Sequence, residues 1–166
     1  MSRRGRTEAR FTDLMIEVGP ELLNYFERRV GEAGADLLSE LMTTDWRRNP
    51  GLPTDHEQAR MWLFGIARNL LRNSARSNVR QARLAHALRD SIPSSGPDAA
   101  ERLAIRDAVQ RLDPDPAELV TLVHWEGLTI AEAGHLQGVP ASTARGRYQR
   151  AKEALREALT EQRSRA

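Results

Sequence analysis

The sequence predicts an all-α protein of two small helical domains joined by a flexible linker. Apolar residues recur at spacings of three and four in several segments, and no segment alternates apolar and polar residues over a strand's length. Residues 91–98 (SIPSSGPD) combine Pro, Gly and Ser without an apolar run, which is typical of a linker. We therefore expect domains at 1–90 and 100–166 with a linker at 91–99, and 166 residues suffice for both domains.

The first domain begins with apolar residues at helical spacing. They are Phe11, Leu14, Met15, Val18, Leu22 and Phe26. Gly19-Pro20 interrupts this pattern, so we expect two short helices here, the second ending near Val30. A third helix is expected at 33–46, and the Pro and Gly residues of 48–55 (RNPGLPTD) predict a loop.

The next helix is expected from His56 to Arg76, with an extension toward Asp90. Its buried stripe would consist of Leu63, Ile66, Ala67, Leu70 and Leu71. Residues 58–89 contain seven arginines and no acid. A solvated face is the alternative explanation, but like charges at helical spacing repel each other. We therefore interpret the segment as part of the core that also faces a polyanion.

Two helices are expected directly after the linker. The first follows from Ala104, Ile105, Ala108, Val109 and Leu112. Residues 113–116 (DPDP) end this helix and start the next, because Pro suits the first helical turn. The second contains Leu119, Val120, Leu122 and Val123.

Residues 128–155 have the layout of a helix-turn-helix. Thr129 can cap a short helix, with Glu132 completing a capping box. Gly134 is small where a second helix must approach closely, and 138–140 (GVP) makes a tight turn. In such a motif the second helix enters the major groove of DNA.

The second helix of this motif, expected to open at Ser142 or Thr143, has two different faces. The inward face would carry Ala144, Tyr148, Ala151 and Leu155. The outward face would carry Ser142, Arg145, Gly146 and Gln149, flanked by Arg150 and Lys152. Arg can fork to a guanine edge and Gln to an adenine edge, while Thr143 and the helix N-terminus can hold a phosphate. An ordinary helical hairpin with a solvated basic face is the alternative.

Several classes of protein are disfavoured. The chain has no cysteine, which excludes disulfides and thiolate metal sites and fits a reducing compartment. Glu132 and His135 have the spacing of a di-iron ligand pair, but the second pair that such sites need is missing. We expect no enzyme, no metal and no cofactor. No apolar run approaches the ~18–20 residues that span a bilayer, so we expect a cytoplasmic protein without membrane insertion.

Taken together, these segments resemble the extracytoplasmic-function class of bacterial sigma factors, of the sigma-70 family. Residues 126–155 (EGLTIAEAGHLQGVPASTARGRYQRAKEAL) are similar to the family's region 4. Residues 36–40 (DLLSE) stand where region 2 has Asp-Leu-Val-Gln-Glu, and 62–76 (WLFGIARNLLRNSAR) is similar to its Trp-Leu-x-x-Ile-Ala-Arg-Asn segment. The resemblance covers nearly the whole chain.

Some residues depart from the family pattern. Ser39 replaces a glutamine, and Met42 stands where an aromatic residue is common. Ala133, Gln137 and Ala144 are smaller or more polar than usual, and Gly146 lacks a side chain. Because smaller core residues bury less apolar area, we expect a loosened region 4.

The resemblance implies a sigma factor that binds the RNA polymerase core and directs it to promoter DNA. Core binding would involve Asp36, Leu37 and Glu40, docked on the clamp helices of the largest subunit. The melted −10 element would be held by Asn49, Asp55, His56, Arg60, Arg68, Asn69, Arg72, Asn73, Arg76 and Arg80. The duplex −35 element would be read by Ser142, Thr143, Arg145, Gly146, Gln149 and Arg150. An anti-sigma factor is implied as a further partner.

Two alternatives stay open at the level of sequence. A helix-turn-helix transcriptional regulator without a role at core polymerase would explain the C-terminal half. Trp46 and Trp62 could stack on bases, although packing in the core beside Phe64 is the favoured interpretation.

Overall fold

The computed structural model describes residues 2–45, 51–77 and 99–165. The chain divides into two compact units, Met1–Ile92 and Pro93–Ala166. Within the described ranges every regular element is helical, which confirms the all-α class. The linker expected at 91–99 lies outside these ranges except for Ala99, which begins a helix. The domain bounds therefore stay a prediction.

Helix α1 runs from Arg3 to Val30 without interruption. The Ser2 hydroxyl accepts a hydrogen bond from the Gly5 amide (3.2 Å) at its start, and the chain leaves the helix at Gly31, where φ is 67°. The expectation of two short helices split at Gly19-Pro20 was wrong. Buried residues continue at helical spacing on both sides of Pro20. The free energy gained by packing them therefore outweighs the loss of the one backbone hydrogen bond that proline cannot donate.

The region after α1 consists of three consecutive short elements. A 3₁₀ turn spans Gly31–Ala33, helix α2 spans Gly34–Glu40, and a π turn spans Leu41–Asp45. A Cβ at Gly34 would lie 2.9 Å from the Glu27 amide nitrogen, so only glycine allows this approach to α1. Trp46, where the third helix was expected to end, lies outside the described residues.

Helix α3 spans His56–Ser77, in agreement with the expected long helix, and its continuation toward residue 90 is outside the described ranges. Its buried side chains pack against α1 and α2. The edge of Phe64 meets the Tyr25 ring, with centroids 5.4 Å apart and planes at 84°. Phe64 is fully buried, whereas Trp62 is half-buried. From the sequence, Phe64 could face either the DNA or the core, and in the structure it belongs to the core.

The second unit contains four helices in its described part: α4 (Ala99–Gln110), α5 (Pro114–His124), α6 (Ile130–Leu136) and α7 (Ala141–Arg165). Its core centres on Val109, Val120 and Ala151. Side chains from α4, from the turn after it, and from α5 and α7 pack around these three: Ile105, Leu112, Ala117, Tyr148 and Leu155. None of the helices in the described ranges combines the length and hydropathy needed to cross a bilayer.

Candidate nucleic-acid interface

Helices α6 and α7 form the helix-turn-helix that the sequence predicted. The Thr129 hydroxyl accepts from the Glu132 amide (3.1 Å), and the Glu132 carboxylate accepts from the Thr129 amide (2.8 Å). The capping box is thus confirmed. The turn passes through Gly138 at φ 72°, and the Val139 amide donates to the Gly134 carbonyl (2.9 Å). These contacts fix the direction in which the chain enters α7.

Small residues bring α6 and α7 together. Ala133, on α6, and Ala144, on α7, have no solvent exposure. A Cβ at Gly134 would lie only 2.6 Å from the Ala144 Cβ. Larger residues at this crossing would separate the two helices, so small residues fit the packing here. The loosening expected for the domain stays a prediction.

A side-chain hydrogen bond from Gln137 also connects the motif to α5. Its side-chain amide donates to the Asp115 carbonyl at the start of α5 (2.8 Å). Asp115 also lies 3.6 Å from the Arg147 guanidinium, which is mostly covered. The N-terminal end of α5 is therefore connected to α6 and to α7, and Arg147 faces the protein.

The outward face of α7 is open along its first three turns. Ala144 and Ala151 are buried, while Tyr148 and Leu155 pack against the core at half burial. The exposed side chains are Ser142, Thr143, Arg145, Gln149, Arg150 and Lys152. Gly146 is half-buried between them. The predicted division of this helix into an inward and an outward face therefore agrees with the structure.

The basic side of α3 lies opposite its buried stripe. Asn69, Arg72 and Asn73 are exposed and Arg68 is half-exposed. The core side is lined by Ala59, Leu63, Phe64, Ala67 and Leu70. Asn49 and Arg80 lie outside the described residues, as does the side chain of Arg76.

The start of α3 brings two of the predicted −10 residues together. The Asp55 carboxylate accepts a hydrogen bond from the Gln58 amide (2.9 Å) and so caps the helix. The His56 Nε2 lies 3.1 Å from the Glu17 carboxylate of α1. Both Asp55 and His56 are exposed, which leaves them accessible to a ligand.

Arg60 requires a correction. Its Nη2 and Nε atoms donate to one Glu21 carboxylate oxygen at 2.6 and 3.0 Å, and its guanidinium lies over the Phe64 ring at 5.2 Å. The side chain is only 13% exposed. Arg60 therefore joins α3 to α1, and the geometry does not support it as a DNA contact.

Leu37 requires a similar correction. It is 7% exposed and belongs to the core of the first unit, so it cannot be a principal contact for a partner. The neighbouring Asp36 and Glu40 are exposed on α2. Met42, just beyond them, is 45% exposed. The accessible surface here is acidic, with one apolar side chain at its end.

Comparison with known proteins bears on the helix-turn-helix unit first. Residues 102–155 match the family model for region 4 of sigma-70. This part of the chain is similar to a sigma-70 region 4 domain. It includes the turns of α7 that carry the open basic face. No curated protein matches the chain.

The fold of the whole chain is also found in a solved sigma factor. The sigma factor RpoE from Bartonella quintana, determined in complex with the anti-sigma factor NepR, superposes with a TM-score of 0.66. The identity is 20%, and the match covers 90% of this chain and 96% of that chain. The region 4 match and this shared fold both support the sequence prediction of a sigma-70-type sigma factor that acts in transcription initiation.

Sequence reasoning missed one contact that orients α7 in the region 4 domain. The His124 Nε2 and the Tyr148 hydroxyl lie 2.8 Å apart, and their rings stack with centroids 5.9 Å apart. Tyr148 was assigned to the inward face from its spacing alone. Its polar end gave a signal, because a tyrosine hydroxyl at the edge of a core usually has a hydrogen-bond partner.

Proposed function

We propose that this sigma factor binds core polymerase through α2, reads the −35 duplex through α7 and holds the melted −10 strand along α3. The observation that carries the proposal is the open face of α7. It presents Arg145 and Gln149 outward while Ala144 and Ala151 anchor the opposite side. A helix held in this way by a preceding turn and helix has the geometry that enters a major groove.

The roles on α7 follow from chemistry and position. Arg145 and Gln149 are one helical turn apart, so both can reach base edges in one groove. Ser142 and Thr143, in the first turn, are placed to hold a phosphate with the free amides of the helix start. Arg150 would contact the DNA backbone, and Gly146 leaves room for close approach.

The proposed −10 surface combines the start and the outer side of α3. Arg68 and Arg72 would attract the phosphates of a single strand, while Asn69 and Asn73 can hydrogen-bond bases or sugars. Asp55 and His56, at the start of α3, are the candidates for discriminating a −10 base that is captured after it flips out of the stack. The proposal keeps three residues that only the family resemblance supports, Asn49, Arg76 and Arg80. It omits Arg60, which is paired with Glu21.

The proposed core-binding surface is the exposed side of α2. Asp36 and Glu40 lie one turn apart on this helix and would meet a basic surface of polymerase. Met42 adds an apolar contact at the end of the surface, which suits an adaptable thioether side chain. Leu37 supports the helix from inside.

An anti-sigma factor is proposed as a regulatory partner. The RpoE structure was determined with NepR bound, and the two chains share a fold. A partner that covers α2 or the outward face of α7 would block polymerase or DNA. The protein would act in the cytoplasm by binding alone, without catalysing a reaction.

Retention of core polymerase tests the proposal. The wild-type chain should co-elute with purified core polymerase, and Asp36→Ala combined with Glu40→Ala should weaken binding roughly ten- to a hundredfold. Glu8→Ala combined with Asp13→Ala is the matched control, because it removes two exposed acids of α1 and leaves α2 unchanged. If the wild type fails to retain core while binding DNA specifically by itself, the protein is a regulator that works without core.

A further inference from the structure

Helix α1 contacts the loop that precedes α3 through Arg10. The two hydrogens of one Arg10 nitrogen, Nη2, donate to the carbonyl oxygens of Pro53 (2.8 Å) and Thr54 (3.2 Å). Arg10 is itself exposed, so the contact adds little to the core. Its effect is to fix two successive peptide units of a loop.

The same side of α1 makes two further contacts with the chain beyond Thr54. Glu17 and Glu21 follow Arg10 by about two and three helical turns, which places all three on one side of α1. Glu17 lies 3.1 Å from His56, and Glu21 binds Arg60 at 2.6 Å. The segment from Pro53 to Arg60 is therefore held at three successive points, in the same order along both partners.

The held segment includes the candidates for base discrimination. Asp55 caps α3 and His56 begins it, and both remain exposed. Their side chains can only favour one base if the backbone that carries them has one position before DNA arrives. Of the three contacts, only that of Arg10 acts on the backbone of the loop itself.

We propose that Arg10 is a positioning residue for recognition of the −10 base. It fixes the carbonyls of Pro53 and Thr54 and thereby sets the position of Asp55 and His56. The inference rests on the proposed −10 role of this segment. A planar guanidinium suits the task because its hydrogens point in fixed directions, whereas an ammonium group imposes no fixed geometry.

Base preference of the polymerase complex tests the inference. The chain is assembled with core polymerase and presented with a single-stranded DNA pool of random sequence. Affinities are then measured for the selected sequence and for its single-base variants. Arg10→Ala should lower the ratio of these affinities at the captured base by about three- to tenfold, and Arg10→Lys should restore part of it.

The matched control is Arg4→Ala. Arg4 lies on the same helix. Among the contacts described for it, its partner is the exposed Glu8, one turn away, at 3.2 Å. Arg4→Ala removes one positive charge from α1, as Arg10→Ala does, but leaves the contacts between Arg10 and the loop intact. The ratio of affinities should therefore not change. In the free chain, hydrogen exchange at the Gln58 and Ala59 amides, which both donate to Asp55 at 2.9 Å, should accelerate for Arg10→Ala and not for Arg4→Ala.

Each contrary outcome has a definite meaning. An unchanged ratio or unchanged hydrogen exchange for Arg10→Ala overturns the inference. So does an equal loss of affinity for all sequences with a smaller salt dependence, since that identifies Arg10 as a phosphate contact. If the wild-type complex selects no sequence, the proposed function fails and the inference fails with it. If the wild-type complex selects a sequence and Arg10→Ala leaves the affinity ratio unchanged, only the inference about Arg10 fails and the proposed function stands.

Discussion

Gly134 and Ala144 meet at the crossing of α6 and α7 so closely that a Cβ at Gly134 would lie 2.6 Å from the Ala144 Cβ. The clash is with a buried Cβ on a helix, not with the mobile end of a long side chain. The two helices would have to move apart to accept any larger residue.

Gly134→Ala should therefore destabilise the region 4 domain. We expect a loss of about 1–3 kcal/mol in the free energy of unfolding, measured by urea unfolding followed by circular dichroism. Gly146→Ala is the control on α7, where the nearest atom to the new Cβ is the flexible end of Arg150 at 3.9 Å. That change should be neutral or stabilising by up to about 1 kcal/mol. Equal unfolding midpoints for Gly134→Ala and the wild type would contradict the close crossing.

The His124–Tyr148 contact should matter for DNA recognition as well as for stability. Tyr148→Phe removes the hydroxyl and should cost about 0.5–1.5 kcal/mol in the free energy of unfolding. Because the pair connects the end of α5 to α7, affinity for duplex −35 DNA should fall in the same variant. Thr121→Val is a matched control, since its hydroxyl donates only within α5, to the Ala117 carbonyl. If the Tyr148→Phe variant keeps both the stability and the DNA affinity of the wild type, the His124–Tyr148 contact does not orient α7 for DNA.

Arg145 and Gln149 should carry the −35 preference. Each substitution to Ala should reduce discrimination between the preferred duplex and single-base variants by about 1–3 kcal/mol, measured by competition binding of the polymerase complex. Arg156→Ala removes the same charge from an exposed site further along α7 and should leave discrimination unchanged. Core retention should be normal in all three variants. Intact discrimination after both changes would mean that another surface reads the duplex.

Arg60 and Arg72 form a matched pair on α3 with opposite expected effects. Arg60→Ala breaks a largely covered ion pair and should lower the free energy of unfolding by about 1–3 kcal/mol, with little effect on DNA affinity of the folded fraction. Arg72→Ala should leave stability unchanged and should reduce the salt slope for single-stranded DNA by about 0.7. The reverse result would restore Arg60 to the DNA surface and exclude Arg72.

The features that sequence predicted well depend on neighbours in the chain. The Thr129–Glu132 capping box and the turn at Gly138 involve contacts within a few residues, and their residue types are nearly specific to those geometries. The two faces of α7 follow from helical periodicity alone. The match to region 4 covers the same part of the chain.

The errors all concern distant partners. Pro20 lies within α1 because the buried stripe continues on both sides of it, a packing effect that a local helix rule ignores. Arg60 was assigned to DNA because residues 58–89 contain no acid, yet its partner Glu21 is 39 residues earlier. Leu37 was carried over with its acidic neighbours, although the structure turns it toward the core.

Run-off transcription is the decisive experiment for a role of this chain in promoter-specific initiation. Purified core polymerase and this chain are incubated with genomic DNA fragments, and transcript starts are mapped for the wild type and for the Arg145→Ala, Gln149→Ala double variant. We expect discrete transcripts that require the chain, with sequences near −35 that the double variant no longer distinguishes. Transcription that is independent of the chain, or promoter choice unchanged by the double variant, would contradict this role.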